Sequence, residues 1–306
     1  MNSDDAGQIR ARYERALANL TETLQKDRTI LAAILGGSLS YDEVWDKSDI
    51  DLILVGDETH KERGFCLVED DINIHAQVMP RSAFKKAVEG TLQGAFTNSF
   101  LSKSRLLYTH DDSLYRLFES LRQGGARDRA LQAFSVACMI PPVLAKAEKW
   151  YYVRRDYRYA FVWLLIAVES LAKIEILSHG EIPTRETVQH ALRLNPTFFT
   201  AIYTDFIDGP KTEQTVGAVL GAINGYLNER VPVLFSPVFD YLSEARAPRS
   251  MSEINEHFKK RIKGAWSEMA CEWLADNGYL EKAELPLRLS DKSRVTVKEA
   301  AYYYAQ

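Results

Sequence analysis

The sequence has little cysteine and none at a spacing that metal or redox chemistry uses. Cys66, Cys138 and Cys271 are the only three thiols in 306 residues, and no pair sits at CxxC spacing. That argues against a zinc site and a disulfide framework and suits a reducing cytoplasm. There is no long hydrophobic run. The most apolar stretch, AFVWLLIAV at 160–168, is soon followed by Glu169, Lys173 and Glu175, whereas a membrane span needs about 20 apolar residues. It reads as a core helix, with no membrane partner. The opening MNSDDAGQIR lacks the apolar segment of a signal peptide, so the expected location is cytoplasmic. There is no excess of positive charge either. The net charge is -4, and any nucleic-acid contact has to be a local patch. Internal repeats and low-complexity segments are absent.

What is present is ordinary globular composition, 46% hydrophobic and 26% charged, at a length that allows two domains or three small ones. Residues 7–25 carry Ile9, Tyr13, Ala16, Leu20 and Leu24 at three- and four-residue steps, the spacing of an amphipathic helix. Residues 30–35 are an apolar run ending in Gly36-Gly37, a buried strand entering a tight turn. Residues 50–55 form a second strand, closed by Gly56-Asp57. Residues 71–78 alternate strictly, which places Asp71, Asn73, His75 and Gln77 on one polar face. Pro80 stops that strand, and Ser82 is positioned to cap a short helix holding Phe84 and Val88.

Helical patterns dominate from about residue 126: 130–139, 143–153, 157–177, 185–192 and 215–228. Within them Phe161, Val162, Trp163, Leu164, Leu171 and Ile174 read as core. Near the C-terminus the spacing predicts helices over 252–260 and 265–277, the second capped by Gly278. Short strands over 285–289 and 295–297 follow. Two helices and a β-hairpin are the outline of a winged helix.

The chemistry gathers around the first turn. Gly36 and Gly37 allow backbone conformations closed to other residues and a close approach to a ligand. A helix starting at Ser38 would point free N–H groups into the turn, a ready anion site. Ten residues later, Asp49 and Asp51 lie at i and i+2, on one side of a strand. Adjacent carboxylates repel, and a hard divalent cation such as Mg²⁺ is their natural compensation. A phosphate cradle facing a metal-binding pair is the apparatus of phosphoryl or nucleotidyl transfer.

Gly37-Ser38, then ten residues, then Asp49-Ile50-Asp51 within SDIDLILV resembles the signature of the polymerase-beta-like nucleotidyltransferase superfamily. It is most similar to the bacterial antibiotic and minimal types. Arg105-Leu106-Leu107-Tyr108 resembles the strand that often ends such a domain, so the resemblance covers about residues 8–118. It implies that Asp49 and Asp51 bind metal and that Gly36, Gly37 and Ser38 bind nucleotide. It also implies a third carboxylate on a neighbouring strand, at the place of Asn73 or His75, and neither is acidic. Three readings stay open: Asp71 reaches the metal, His75 serves as base or ligand, or the site binds nucleotide without turnover.

Beyond the domain, Lys146, Lys149, Arg154, Arg155 and Arg158 are interleaved with Trp150, Tyr151, Tyr152 and Tyr157. The resemblance implies a helical domain that supplies cations to the triphosphate; a solvated helix end with snorkelling side chains is the plainer reading. Residues 251–258 with Trp273-Leu274 and Gly278-Tyr279-Leu280-Glu281 resemble winged helix-turn-helix domains. Lys259, Lys260, Arg261 and Lys263, with Arg288, Lys292 and Arg294 on the wing, could meet phosphates.

The expected fold is α+β: a nucleotidyltransferase mixed sheet with flanking helices over 1–120, an α-helical domain over 121–245 and a winged-helix-like module over 246–306. The expected activity is Mg²⁺-dependent transfer of a nucleoside monophosphate from a nucleoside triphosphate, ATP foremost, to an acceptor hydroxyl on a small molecule, RNA or protein. The alternative is a catalytically degenerate nucleotide-binding regulator that binds DNA through residues 250–300. Monomer and dimer both stay open.

Overall fold

Ile30–Gly36 (β1) is apolar on both faces, and such a strand is stable only inside a sheet covered on both sides. The computed structural model describes residues 3–41, 44–91, 104–122, 126–183, 186–259, 267–290 and 292–304. The chain divides into two units, Met1–Gly124 and Gly125–Gln306.

In the first unit β1 is joined by Ile50–Gly56 (β2), Arg63–Glu69 (β3), Ile72–Pro80 (β4) and Arg105–Thr109 (β5), in the sheet order β3-β4-β2-β1-β5. β1 is antiparallel to β2 and β5, β3 is antiparallel to β4, and β2 is parallel to β4. The parallel pair arises because the chain leaves along β2, returns along β3 at the edge and re-enters between them. β3 has no counterpart in the sequence reading. It is an exposed edge strand, so no apolar alternation marks it.

Alternation sorts the inner strands between two cores. On one face Ala33, Leu35, Leu52, Leu54, Ile74 and Ala76 meet Tyr13, Ala16 and Leu17 of Ser3–Leu24 (α1). On the other, Ala32, Ile34, Ile53 and Val55 meet Phe84 and Val88 of Arg81–Thr91 (α2), with Leu114 and Phe118 of Asp112–Arg122 (α3). Asp51 and His75 belong to this second face.

Two details correct the sequence reading. Asp71 is not on the polar face of a strand: Glu69 pairs with Ile72, so Asp70 and Asp71 form the two-residue hairpin turn, with φ of 50° and 58°. Left-handed backbone is what a two-residue hairpin turn asks of its central residues, and Asp tolerates it. Ser82 does not cap α2. The cap is Glu58, from the turn after β2, which accepts the Ser82 backbone N–H at 2.9 Å and its hydroxyl at 2.7 Å.

The second unit is helical through residue 245, with Ala126–Ala137, Ile140–Glu148, Tyr157–Ser178, Thr187–Leu194, Glu213–Leu234 and Ser236–Ala245 as its longer helices. The helix expected over 143–153 starts at Ile140 and passes into a π-helical turn, Lys149–Val153. Val162, expected in the core, stands 45% exposed. The path Arg129–Val153 is long and apolar enough to cross a membrane. Here it lends Phe134, Ile140 and Leu144 to the protein core.

Arg249–Ser250 (β6), helices Met251–Lys259 and Ser267–Asp276, and strands Glu281–Leu287 (β7) and Val297–Tyr303 (β8) complete the chain, in the sheet order β6-β8-β7. The hairpin overlaps the strands expected at 285–289 and 295–297 only at 285–287 and at 297. Leu289 and Val295 fall in its connection, 76% and 66% exposed. Residues 121–245 and 246–306, separated in the sequence reading, contribute to one core. The ring of Phe134 lies 5.0 Å from that of Phe258, Phe235 stacks on Trp273 and Phe239 on Tyr304.

Phe84, 1% exposed, is the largest side chain of α2 in its core. Phe84→Ala should cost about 3–5 kcal/mol. Urea denaturation followed by circular dichroism reads this, and a loss below about 1 kcal/mol would mean that α2 is not held by that core.

Candidate functional site

Three strand pairings set a single row of residues across the sheet. Gly36 pairs with Asp51, Asp51 with His75, and His75 with Cys66. Directly paired residues project to the same face, so Asp51, His75 and Cys66 share one. Asp49 lies two positions before Asp51, on the same side. His75 Nδ1 is 3.8 Å from Asp49 Oδ2 and 3.9 Å from Asp51 Oδ1. That is beyond direct hydrogen bonding and close enough for all three groups to face one ligand. Their side chains are 54%, 42% and 34% exposed in the order His75, Asp49, Asp51.

Asp49 precedes β2, and a turn holds it. The Ser48 N–H donates to the Trp45 carbonyl at 2.9 Å, and the Ser48 hydroxyl accepts the Trp45 N–H at 3.1 Å. From α1, the Tyr13 hydroxyl donates to the Ser48 carbonyl at 2.7 Å. Burial pushes the Tyr13 hydroxyl above its ordinary pKa, so it stays a donor at neutral pH. Next to it Glu14 pairs with Arg105 of β5 at 2.9 Å. The helix that covers the back of the sheet is thereby tied to the entry of β2 and to its far edge.

The turn after β1 needs glycine at position 37 for two reasons. Its φ is +67°, a left-handed conformation that costs other residues about 1–2 kcal/mol. A Cβ there would also collide with the Asp51 carboxylate. The Gly37 carbonyl accepts from the Ser40 N–H at 3.0 Å and from its hydroxyl at 2.7 Å, closing a single 3₁₀ turn, Ser38–Tyr41. Ser38 opens that turn and is partly exposed.

The structure therefore brings together Gly36, Gly37, Ser38, Asp49, Asp51 and His75. Asp71 is not among them. It sits in the hairpin turn four positions before His75, about 13 Å away along the strand direction at roughly 3.3 Å per residue. Asn73 is on the face of His75 and exposed. Gly64 and Cys66 of β3 escaped the sequence reading, because nothing in an exposed edge strand announces which residues it faces. With Asp51, His75 and Gln77 they line a pocket of about 640 Å³.

Among the described residues no three His, Cys, Asp or Glu side chains are arranged to hold a metal ion. Asp49 and Asp51 still fit Mg²⁺, which is commonly held by one or two carboxylates while substrate phosphates and water complete the shell. The basic cluster belongs to the second unit. Its Arg155 has a φ of 53° and pairs with Glu213 at 2.7 Å. Lys260, Arg261 and Lys263 lie outside the described residues.

The contact between Gly37 and Asp51 is testable by a double-mutant cycle. Gly37→Ala should lose more than the about 1–2 kcal/mol of the left-handed backbone alone, and less when Asp51 is also alanine, with a coupling of at least about 0.5 kcal/mol. Urea denaturation of the four proteins measures it; strictly additive losses would show that the two residues do not meet.

Residues 18–113 match the family described as polymerase beta, nucleotidyltransferase. Among solved structures, the crystal structure of a nucleotidyltransferase-like protein from Exiguobacterium sibiricum 255-15 is similar over 96% of this chain and 100% of that chain, with a TM-score of 0.64 and 14% identity. At that identity the likeness is one of fold. No curated protein matches the sequence. The glycine turn and the Asp49–Asp51 pair both fall inside the matched segment, and residues 18–113 are a nucleotidyltransferase domain of the polymerase beta family.

Proposed function

We propose that the N-terminal unit transfers a nucleoside monophosphate from a nucleoside triphosphate, ATP foremost, to an acceptor hydroxyl. The observation that carries this reading is the row across the sheet, with a phosphate turn on one flank of the carboxylate pair and an imidazole on the other. Gly36, Gly37 and Ser38 hold the terminal phosphates through backbone N–H groups and the Ser38 hydroxyl. Asp49 and Asp51 hold Mg²⁺. When bound, the ion supplies positive charge against the charge that builds on the transferring phosphoryl group.

Asn73 and His75 share the place at which the resemblance puts a third carboxylate, and His75 is the one paired with Asp51. It takes the proton of the acceptor hydroxyl as that oxygen bonds to the α-phosphorus. The bond from the α-phosphorus to the bridging oxygen breaks, and pyrophosphate departs with the electron pair. Asp71, in the hairpin turn, has no part in this step.

The DNA-binding alternative gains nothing from the second helix of the C-terminal segment. Its order of short strand, two helices and hairpin follows a winged helix, but Ser267–Asp276, in the place of the DNA-reading helix, carries Glu268, Glu272 and Asp276 and no Lys or Arg. Such a helix repels phosphate.

The direct experiment is incubation with labelled nucleoside triphosphates, Mg²⁺ and a panel of acceptors, read as pyrophosphate release. Asp49→Asn should abolish Mg²⁺-dependent ATP binding in calorimetry while circular dichroism stays unchanged; equal affinities in wild type and variant would sink the metal assignment. His75→Ala should lower kcat by about 10²–10⁴-fold, the range of general acid–base catalysis, and Asp71→Asn should leave it near wild type. The reverse order would move the base from His75 to Asp71.

A further inference from the structure

We infer that the pocket beside His75 is the acceptor site and that the acceptor is a compact, uncharged hydroxy compound, an inference that rests on the transfer reading above. In phosphoryl-type transfer the entering and leaving oxygens lie roughly in line, on opposite sides of the phosphorus. The glycine turn occupies the β1 side of Asp51, where Gly36 is its partner and Gly37 abuts its carboxylate. With the pyrophosphate leaving toward β1, the attacking hydroxyl enters from the β4 and β3 side. The pocket opens there.

The size and lining of the pocket narrow the acceptor. About 640 Å³ is within the range of small-molecule sites. Ile53, Met79 and Ala87 give it an apolar part, and the Gln77 amide gives a donor and an acceptor for hydroxyl groups. Among the described lining residues there is no Lys or Arg, so a nucleic-acid end or a phosphorylated acceptor finds no cation to receive it. Asp51 is the one carboxylate among them, and it serves the metal. A polycationic acceptor such as an aminoglycoside therefore has no countercharge of its own.

Gly64 shapes the outer wall. It pairs with Gln77, and a Cβ built on it meets nothing within 4 Å. The missing side chain leaves room directly opposite the amide that would orient the acceptor. Gly64 and Gln77 are on this account specificity residues.

Cys66 supplies a reporter, because it is the exposed thiol while Cys138 and Cys271 are buried. Iodoacetamide labelling of the full chain, followed by intact mass, reads occupancy of the pocket without reference to turnover. The probes are monosaccharides, nucleosides and phenolic alcohols, then an aminoglycoside, then a short RNA, each with ATP binding measured in parallel by calorimetry. The expected result is that at least one uncharged compound slows labelling severalfold and supports pyrophosphate release. Gly64→Leu should abolish that release while ATP affinity is unchanged, and Gln77→Ala should raise the acceptor KM more than it lowers kcat.

Protection by the aminoglycoside or the RNA alone would overturn the uncharged class. Protection by none of the probes, with ATP still bound, would overturn the pocket and leave the transfer reading standing. Absence of ATP binding would mark failure of the transfer reading itself, and protection seen in such a protein would overturn the acceptor role.

Discussion

The pairing of Asp51 with Gly36 on one side and His75 on the other holds the site together, and that pairing is maintained by residues that do no chemistry. Leu52, Leu54, Ile74 and Ala76 point to the opposite face and are buried against α1. A slip of one residue in any of these strands would carry its polar set into that core and its apolar set into water. Fully burying one Leu or Ile contributes about 1.5–3 kcal/mol, so Leu52, Leu54 and Ile74 together outweigh any preference the polar face could express. The alignment of the site residues is in this sense a by-product of hydrophobic alternation.

The inner part of the sheet could be read from the sequence for the same reason. β1, β2 and β4 are either continuously apolar or strictly alternating, and the glycine turn and Asp49–Asp51 follow from them at known offsets. What was not readable depends on contacts distant in sequence. β3 is exposed at the sheet edge, so its pattern carries no imprint of burial, and Gly64 and Cys66 remained invisible with it. The cap of α2 comes from Glu58, 24 residues from Ser82, whereas the local sequence points to the nearest serine. Asp71 reads as part of β4 because alternation does not show where a two-residue turn ends and a strand begins.

An imidazole at position 75 changes the electrostatics of the cluster. Three carboxylates at this spacing would each be destabilised by the other two. Two carboxylates and an imidazole face less mutual repulsion before any cation arrives, and they leave more of the coordination shell to substrate oxygens and water. Under the proposed function, nucleotide and cation would complete each other's site, which accords with a pair whose side chains remain 42% and 34% exposed.

The ring contacts of the second unit bear on how such a chain is assembled over evolutionary time. A terminal module with a private core can be lost, exchanged or appended without disturbing its host. Here Phe134, Phe235 and Phe239 find Phe258, Trp273 and Tyr304 across the 245 boundary, so a replacement for the last segment would have to reproduce the positions of those three rings. The C-terminal segment is thereby inherited with its helices, and its substitutions are constrained by theirs.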